Sequence, residues 1–212
     1  MFQGYRSRKR GNRKEAITAL IICEGQKTEP NYFNNYKEPY GGLKIIIPNS
    51  TRTDPVNLVK FALKQNYKYQ IDTSNGDTIW CVFDADTNSP EKIEQAKKLA
   101  KGKINLCFSN PCFELWYFLH FCYLEQRIST GDLQDKLKKY IKNYNKTKDY
   151  YKILLSKRQN AIEYTKKLNN KHIAKGIELL SAKSNPSSGV VDLVEYMLKT
   201  IKKNKEQHLA NG

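Results

Sequence analysis

The chain has 212 residues, which is the length of one domain or of one domain with an appendage. Lysine and arginine outnumber aspartate and glutamate by 37 to 21, which gives a formal net charge of +16. Such an excess favours a polyanionic partner, because cationic side chains release the counterions condensed on phosphates. The alternative is a basic protein without such a partner, since net charge bears on association and not on fold.

Composition also argues against membrane and disulfide-rich classes. The longest apolar run falls far short of the roughly 18 residues that cross a membrane, and no apolar segment follows the basic N-terminus as in a secretory signal. The cysteines are Cys23, Cys81, Cys107, Cys112 and Cys122. Their odd number, the lack of a C-x-x-C pair and their apolar neighbours predict buried thiols in a reducing compartment. We therefore expect a cytoplasmic protein with no membrane span.

Residues 1–15 are the first predicted segment, with six Arg or Lys residues and one Glu. A charge run of this kind predicts a flexible arm. Arg8 and Arg10 are its candidates for binding a phosphate backbone, and the alternative is a solvated tail.

Short apolar runs alternate with helical segments over residues 16–125. The runs are AITALIIC at 16–23, LKIIIP at 43–48, TIWCVF at 78–83 and INLCF at 104–108. Nearly continuous apolar runs of this length are typical of strands buried on both faces. NYFNNYK looks helical, and Asp54-Pro55 and Ser89-Pro90 each join an N-cap residue to a proline in the first helical turn. The alternation predicts an α/β fold with a mostly parallel four-stranded sheet flanked by helices.

Residues 126–212 differ in character from this predicted core. Residues 130–180 are rich in lysine and tyrosine and predict helices without a clear strand. NPSSGVVDLVEYMLKTIKKNK predicts a closing helix that Ser187 or Ser188 caps. We therefore predict a C-terminal helical extension that packs on the α/β core.

Polar residues follow three of the four predicted strands at the point where each strand ends. Glu24 follows the first strand, Asp84 and Asp86 follow the third, and Ser109 and Asn110 follow the fourth. Ligands of open parallel sheets bind outside the carboxyl ends of the strands. We therefore expect these side chains to meet at one edge of the sheet.

Asp84 and Asp86 are spaced so that an extended backbone turns both carboxylates to one side. Two like charges about 5 Å apart repel by roughly 3 kcal/mol at an effective dielectric near 20. A retained proton or a bound cation removes this cost, and oxygen ligands without His or Cys suit Mg²⁺ or Mn²⁺. The alternative is a turn in which an aspartate caps the next helix. Glu24 at the same edge favours the metal site.

EGQKTEP, after the first strand, is typical of a tight strand-to-helix turn. Gly25 permits the turn, and Thr28 or Glu29 can cap a helix with Pro30 in its first turn. The free N–H groups of such a turn favour phosphate, and Lys27 would add a positive charge. We predict Lys27 and Thr28 as phosphate-binding residues, the alternative being an ordinary loop with a solvated lysine. We expect Glu29 to complement the helix dipole rather than to bind metal.

SNPCFELWYFLHF combines a strand end with a helix that is too apolar for the surface. Asn110-Pro111 should end the strand and start this helix, with Asn110 a candidate for binding nucleic acid and Ser109 a structural residue. Glu114, in the first turn, is predicted as a further metal ligand or as a residue that orients one. His120 is six residues on and faces elsewhere, so we favour a buried core histidine over a ligand.

Five segments in order resemble the RloB family between about residues 18 and 200. They are ICEGQKTEPNYF, VFDADTN, SNPCFELWYFLHF, KDYYK and NPSSGVVDLVEYM. Glu-Gly after the first strand and Asp-x-Asp after the third are also similar to the Toprim fold of topoisomerases, primases and OLD nucleases.

The resemblance implies a Toprim-like nuclease of bacterial restriction and anti-phage loci, often beside an ABC- or AAA-type ATPase. It implies that Glu24 is a metal ligand or general acid/base and that Asp84 and Asp86 bind Mg²⁺. Many Toprim motifs carry a third carboxylate where this chain has Asn88. A third ligand would then come from elsewhere, such as Glu114, or the site would hold one metal.

These observations together predict a Mg²⁺- or Mn²⁺-dependent nuclease acting on DNA or RNA. The catalytic candidates are Glu24, Lys27, Asp84 and Asp86, with Gly25 in a supporting role. One alternative is a nucleic-acid-binding module without turnover, and another is a metal-dependent phosphotransferase acting on nucleotides. No G-x-x-x-x-G-K-[ST] phosphate-binding loop occurs, so any ATP dependence would come from a partner.

Overall fold

The structure is a computed structural model that describes residues 16–37 and 42–210, with side chains to residue 206. The predicted arm, with Arg8 and Arg10, lies outside the described residues.

The described residues form five strands and eight α-helices. In chain order these are β1 (Ile17–Cys23), α1 (Thr28–Asn34), β2 (Leu43–Ile46), α2 (Pro55–Tyr69), β3 (Thr78–Asp84), α3 (Pro90–Ala100), β4 (Asn105–Asn110), α4 (Glu114–Leu119), α5 (Thr130–Lys138), α6 (Tyr151–Leu155), α7 (Arg158–Ala174), β5 (Ser187–Ser188) and α8 (Val190–Ala210). The alternation of strands and helices through β4 confirms the predicted α/β class.

The sheet has five strands in the order β2-β1-β3-β4-β5, so the prediction of four strands is wrong. The first four are parallel, and β5 runs antiparallel to β4 with Ser109 opposite Ser188. A two-residue strand carries no periodic signal, which is why the sequence pointed only to a cap there. Ser188 does accept a hydrogen bond from the Val190 N–H (3.2 Å), so it both pairs with β4 and supports the start of α8.

Two of the predicted helix caps are confirmed, and two predictions about helix starts are wrong. The N-cap of α1 is Lys27, without a side-chain capping hydrogen bond, so neither Thr28 nor Glu29 caps this helix. Asp54 accepts a hydrogen bond from the Asn57 N–H (3.0 Å) and caps α2, and Ser89 caps α3 in the same manner. The helix after β4 begins at Glu114 and not at Pro111. Asn110 is still paired in the sheet, and the Pro111 carbonyl accepts the Asp86 N–H (3.1 Å), so this segment remains extended.

The sheet is covered on both faces. Ala19, Ile21 and Cys23 of β1 face a core formed with α1, α4, α5, α7 and α8, whereas Leu20 and Ile22 face a core formed with α2 and α3. This alternation follows from the two-residue period of a strand. The first core joins side chains from both sides of residue 125, so helices of the extension and the sheet share one apolar cluster. The domain boundary at 125 stays a prediction.

Two further observations concern membrane spans and the cysteines. Within residues 16–37 and 42–210, no helix combines the length and the hydropathy that a bilayer span requires. All five cysteine thiols are free, and four of them are buried while Cys122 is partly exposed.

Leu168 tests whether the extension and the sheet unfold together. Its side chain is 1% exposed in the shared core, so Leu168→Ala should lower the free energy of unfolding by about 2–5 kcal/mol. Ile173→Ala, on the same helix at 57% exposure, should change it by about 0.5 kcal/mol or less. Urea unfolding followed by circular dichroism should give one transition for both variants. Two transitions, of which Leu168→Ala shifts only one, would show an independent extension.

Candidate functional site

Glu24 and Asp84 meet where β1 and β3 end. The two strands are adjacent and in register, with Cys23 opposite Val82. The Glu24 N–H donates to the Val82 carbonyl (2.9 Å), and Glu24 Oε2 accepts the Asp84 N–H (3.1 Å). The sheet therefore brings together the first and third predicted motifs at its carboxyl edge.

The Glu24 carboxylate organises the loop that follows β3. It accepts hydrogen bonds from Thr87 Oγ1 (3.4 Å) and from Asn88 Nδ2 (3.2 Å to Oε1), and Asn88 Nδ2 also donates to the Asp84 carbonyl (2.8 Å). Burial raises the pKa of Glu24, while the donors from Asp84 and Asn88 act to lower it. A carboxylate at position 88 would face the Glu24 carboxylate, so the amide of Asn88 suits this place.

The charge of Asp84 is poorly compensated by its surroundings. Its Oδ1 is inaccessible to solvent and has no hydrogen-bond partner among the described residues. Burial raises the pKa of Asp84 well above its usual range, and the carboxylates of Glu29, Glu114 and Asp86 raise it further. The Phe113 backbone N–H acts in the opposite direction on this pKa. A carboxylate in such surroundings favours a proton or a cation.

Glu29 is also buried at this edge, although the sequence led us to expect only an interaction with the helix dipole. It lies in the first turn of α1, and its Oε1 accepts the Gly25 N–H (3.2 Å). Burial raises its pKa to about 7, with the charge of Glu114 acting in the same direction. A Cβ at position 25 would overlap the Glu29 carboxylate, so any larger residue there would displace this carboxylate. No sequence signal shows this burial, because α4 and the extension create it.

Glu114 is 1% exposed and is compensated by residues of the extension. Its Oε1 accepts hydrogen bonds from Tyr144 Oη (3.1 Å) and Gln134 Nε2 (3.4 Å) and forms an ion pair with Lys146 Nζ (3.1 Å). Burial and the Glu114 charge raise the pKa of Tyr144, so its hydroxyl remains a donor. No motif in the sequence pointed to the contacts of Tyr144 and Lys146 with Glu114.

The segment 144–149, which we call the strap, is tied to α1. Thr28 Oγ1 donates to the Lys146 carbonyl (3.1 Å), Asn31 Nδ2 donates to the Thr147 carbonyl (3.1 Å), and Asn35 Nδ2 donates to Asp149 Oδ2 (2.8 Å). These bonds fix where the Lys146 side chain starts. The predicted phosphate-binding hydroxyl of Thr28 is therefore engaged in holding the strap.

Asp86 lies on the exposed side of the same edge. Its Oδ2 accepts a hydrogen bond from Thr130 Oγ1 (2.8 Å) at the start of α5. Glu24, Glu29, Asp84, Asp86 and Glu114 interact through their charges or through hydrogen bonds, and we call them the acid cluster.

The side chains of the remaining predicted site residues form no hydrogen bond with the acid cluster in the described part of the chain. Lys27 is exposed at the start of α1, and Ser109 is buried with a hydroxyl that has no partner among the described residues. Asn110 Nδ2 donates to the Ser181 carbonyl (3.1 Å). His120 is in the core, where Nδ1 contacts the Trp116 carbonyl (2.8 Å) and burial lowers its pKa to about 4.

The acid cluster does not form a ready-made metal cage. Across residues 16–37 and 42–210, no three His, Cys, Asp or Glu side chains stand where they could jointly hold a metal ion. In the geometry described, Glu24 binds the loop after β3 and Glu114 binds the strap, whereas Asp84 Oδ1 has no hydrogen-bond partner among the described residues.

The raised pKa of Glu29 predicts that the stability of the metal-free protein depends on pH. The folded chain holds a proton on Glu29 up to a pKa of about 7, whereas the unfolded chain loses it near the ordinary value of 4.5. This stabilisation is therefore complete below pH 4.5 and falls as the pH rises toward 7, by about 3 kcal/mol at most. Glu29→Gln should flatten the curve of unfolding free energy against pH, measured with urea in EDTA.

The control for this prediction is Glu163→Gln, at an exposed position on α7. It should leave the pH dependence as in the wild type. Parallel curves for Glu29→Gln and the wild type between pH 4.5 and pH 7 would contradict the raised pKa of Glu29.

Comparison with known proteins identifies the family. The model of the family described as RloB-like protein matches residues 19–197, from within β1 to within α8. No curated protein and no solved structure matches the chain significantly. The family match covers all of the acid cluster and the strap. The chain therefore belongs to the RloB-like protein family.

Proposed function

We propose that this chain is a metal-dependent nuclease that hydrolyses phosphodiester bonds of DNA or RNA. The observation that carries the proposal is the buried Oδ1 of Asp84, which has no partner in the part of the chain that the structure describes and lies among the charges of three further carboxylates. A cation would compensate this charge and occupy the edge of the sheet where ligands of parallel α/β folds bind. The similarity to the Toprim fold noted from the motifs supports the same activity.

The donor set fits Mg²⁺ or Mn²⁺. All members of the acid cluster offer carboxylate oxygens, which are the ligands that these hard ions prefer. Mg²⁺ usually keeps several waters and binds one or two carboxylates together with substrate phosphates, so a preformed cage of three side chains is not required. Asp84 and Asp86 would hold the ion, with Glu24 and Glu114 as further donors. When bound, the ion would neutralise phosphate charge and lower the pKa of an attacking water.

Glu24 has a separate role in this proposal. Its hydrogen bonds to Asp84 and Asn88 keep the loop after β3 in place, which positions the carboxylates on that loop. Burial raises its pKa, and a carboxyl group with a raised pKa is a stronger base and is better suited to accept and return a proton.

Two lysines would contact the substrate. Lys146 pairs with Glu114 in the metal-free chain, and a cation at the acid cluster would free its ammonium group to bind a phosphate oxygen. Lys27 is exposed near the same edge and would bind a neighbouring phosphate. The net charge of +16 would favour association with a polyanion along its length.

Membership of the RloB-like family supports a biological setting for this activity. We propose that the chain acts as a nuclease effector in bacterial anti-phage defence, together with an ABC- or AAA-type ATPase. The chain has no phosphate-binding loop of the P-loop type, so ATP hydrolysis would belong to the partner.

Asp84→Asn and Asp86→Asn test the proposed activity. With plasmid, single-stranded DNA, total RNA and tRNA as substrates, the wild type should cut at least one of them with Mn²⁺ and none with EDTA. Loss of either carboxylate should slow cleavage by at least about 100-fold, because a metal ligand is removed. Binding to the same nucleic acid, measured by fluorescence anisotropy, should persist in both variants.

Asp135→Asn is the matched control, because Asp135 is exposed on α5 and pairs with Lys138 (2.7 Å) rather than with a member of the acid cluster. It should cut as fast as the wild type. Purified Asp84→Asn that keeps wild-type cleavage would refute the assignment. Binding with a steep salt dependence but no turnover would indicate a binding module, and turnover of mononucleotides alone would indicate a phosphotransferase.

Lys146→Met tests the competition between an ammonium group and a metal ion for Glu114. Removing the ammonium group should raise the affinity for Mn²⁺ by about tenfold, equivalent to 1.4 kcal/mol, as measured by calorimetry. Cleavage at saturating Mn²⁺ should nevertheless fall, because a phosphate contact is lost. Lys148→Met, at an exposed strap position, should change neither quantity. Weaker Mn²⁺ binding by Lys146→Met would rule out the competition.

A further inference from the structure

A cavity opens beside Asp86 and is separate from the buried part of the acid cluster. It has a volume of about 450 Å³, which lies within the range of roughly 300–1,000 Å³ of small-molecule sites. Its lining comes from the loop after β3, the segment after β4, the approach to α5 and residues 182 and 185. Glu24, Glu29 and Glu114 do not line it.

Apolar side chains form part of the walls of this cavity, which also carry polar and charged groups. Pro111, Ile128 and Ala182 line it, and the first two are buried. Asn185 holds Ile128 through two hydrogen bonds, because its Oδ1 accepts the Ile128 N–H (3.0 Å) and its Nδ2 donates to the Ile128 carbonyl (2.9 Å). Ile128 is therefore held in place by hydrogen bonds, and the apolar side chains form a small surface within a largely polar wall, against which a flat ring can lie.

Arg127 supplies a cation at the cavity. Its guanidinium is exposed and forms no ion pair among the described residues, although Asp86 and Asp132 line the same cavity. Those two carboxylates accept hydrogen bonds from Thr130 Oγ1 (2.8 Å) and Ser129 Oγ (2.6 Å), respectively. A guanidinium of this kind binds phosphate oxygens in a bidentate manner.

We propose that this cavity binds the unpaired nucleotide next to the scissile phosphate. The base lies against Pro111, Ile128 and Ala182, and Arg127 binds the phosphate of the same nucleotide. The inference rests on the proposed nuclease function, because Asp86 belongs both to the cavity and to the acid cluster. A base can enter the cavity only when it is out of a duplex stack, so the substrate class is single-stranded or looped nucleic acid.

Binding of nucleoside 5′-monophosphates tests the cavity without any cleavage. Calorimetry in EDTA should detect binding of at least one of AMP, CMP, GMP and UMP to the full chain. Arg127→Ala should weaken it by at least about tenfold, because a charge-assisted contact is lost. Ala182→Phe should abolish it by filling the cavity, and Lys139→Ala, an exposed cation beyond the other end of α5, should leave it unchanged.

Two results would overturn the proposed nucleotide binding. One is the absence of monophosphate binding by the wild type at millimolar concentration. The other is binding by Arg127→Ala and Ala182→Phe equal to that of the wild type. The thermal unfolding midpoint of each variant in the same buffer separates a blocked cavity from a misfolded chain, and Arg127→Ala changes only an exposed side chain.

Cleavage of oligonucleotides with a single abasic site, moved one position at a time, separates this inference from the nuclease proposal. The wild type should lose kcat/KM when the missing base adjoins the scissile phosphate, and Ala182→Phe should show no such position dependence. Cleavage at the same rate for every abasic position would refute nucleotide binding in the cavity but would be consistent with the proposed nuclease activity. Monophosphate binding without cleavage of any polymer would keep the cavity as a nucleotide site and overturn the nuclease.

Discussion

The buried carboxylate of Asp84 is the constraint on which the rest of the site depends. Its Oδ1 is inaccessible to solvent and has no hydrogen-bond donor among the described residues, and Glu29 and Glu114 add negative charge nearby. A chain with net charge +16 has many lysines with which to neutralise such a group. The ammonium group of Lys146 interacts with the Asp84 charge but pairs with Glu114, and Asp84 Oδ1 has no partner among the described residues. This incomplete compensation is the feature that favours a cation supplied from solution.

The C-terminal extension completes the site as well as the fold. The strap carries Tyr144 and Lys146 onto Glu114, and its hydrogen bonds to α1 fix that position. The start of α5 contributes Thr130 to Asp86. Because helices of the extension also share an apolar core with the sheet, packing and site chemistry are coupled, and changes in the extension can alter the charge balance at the acid cluster.

The sequence alone led to much of the fold and to part of the site, for local reasons. Apolar runs bounded by turn residues marked β1 to β4, and Asp54 and Ser89 marked helix starts, because strand burial and helix capping are short-range properties. The adjacency of Glu24 and Asp84 follows from two parallel strands that end at one edge. The two-residue strand β5 was not predicted. Its pairing partner β4 is far away in the chain, and two residues are too few to show an alternating pattern of apolar and polar side chains.

What the sequence by itself determined is the α/β class, the edge at which the polar residues meet and the family to which the chain belongs. Only the tertiary structure decided that Glu29 is buried, that Lys146 neutralises Glu114 and that Arg127 stands at a cavity beside Asp86. The physical reason is that burial and ion pairing depend on which distant segment covers a residue. No local pattern of residues around Glu29 or Lys146 records which segment that is.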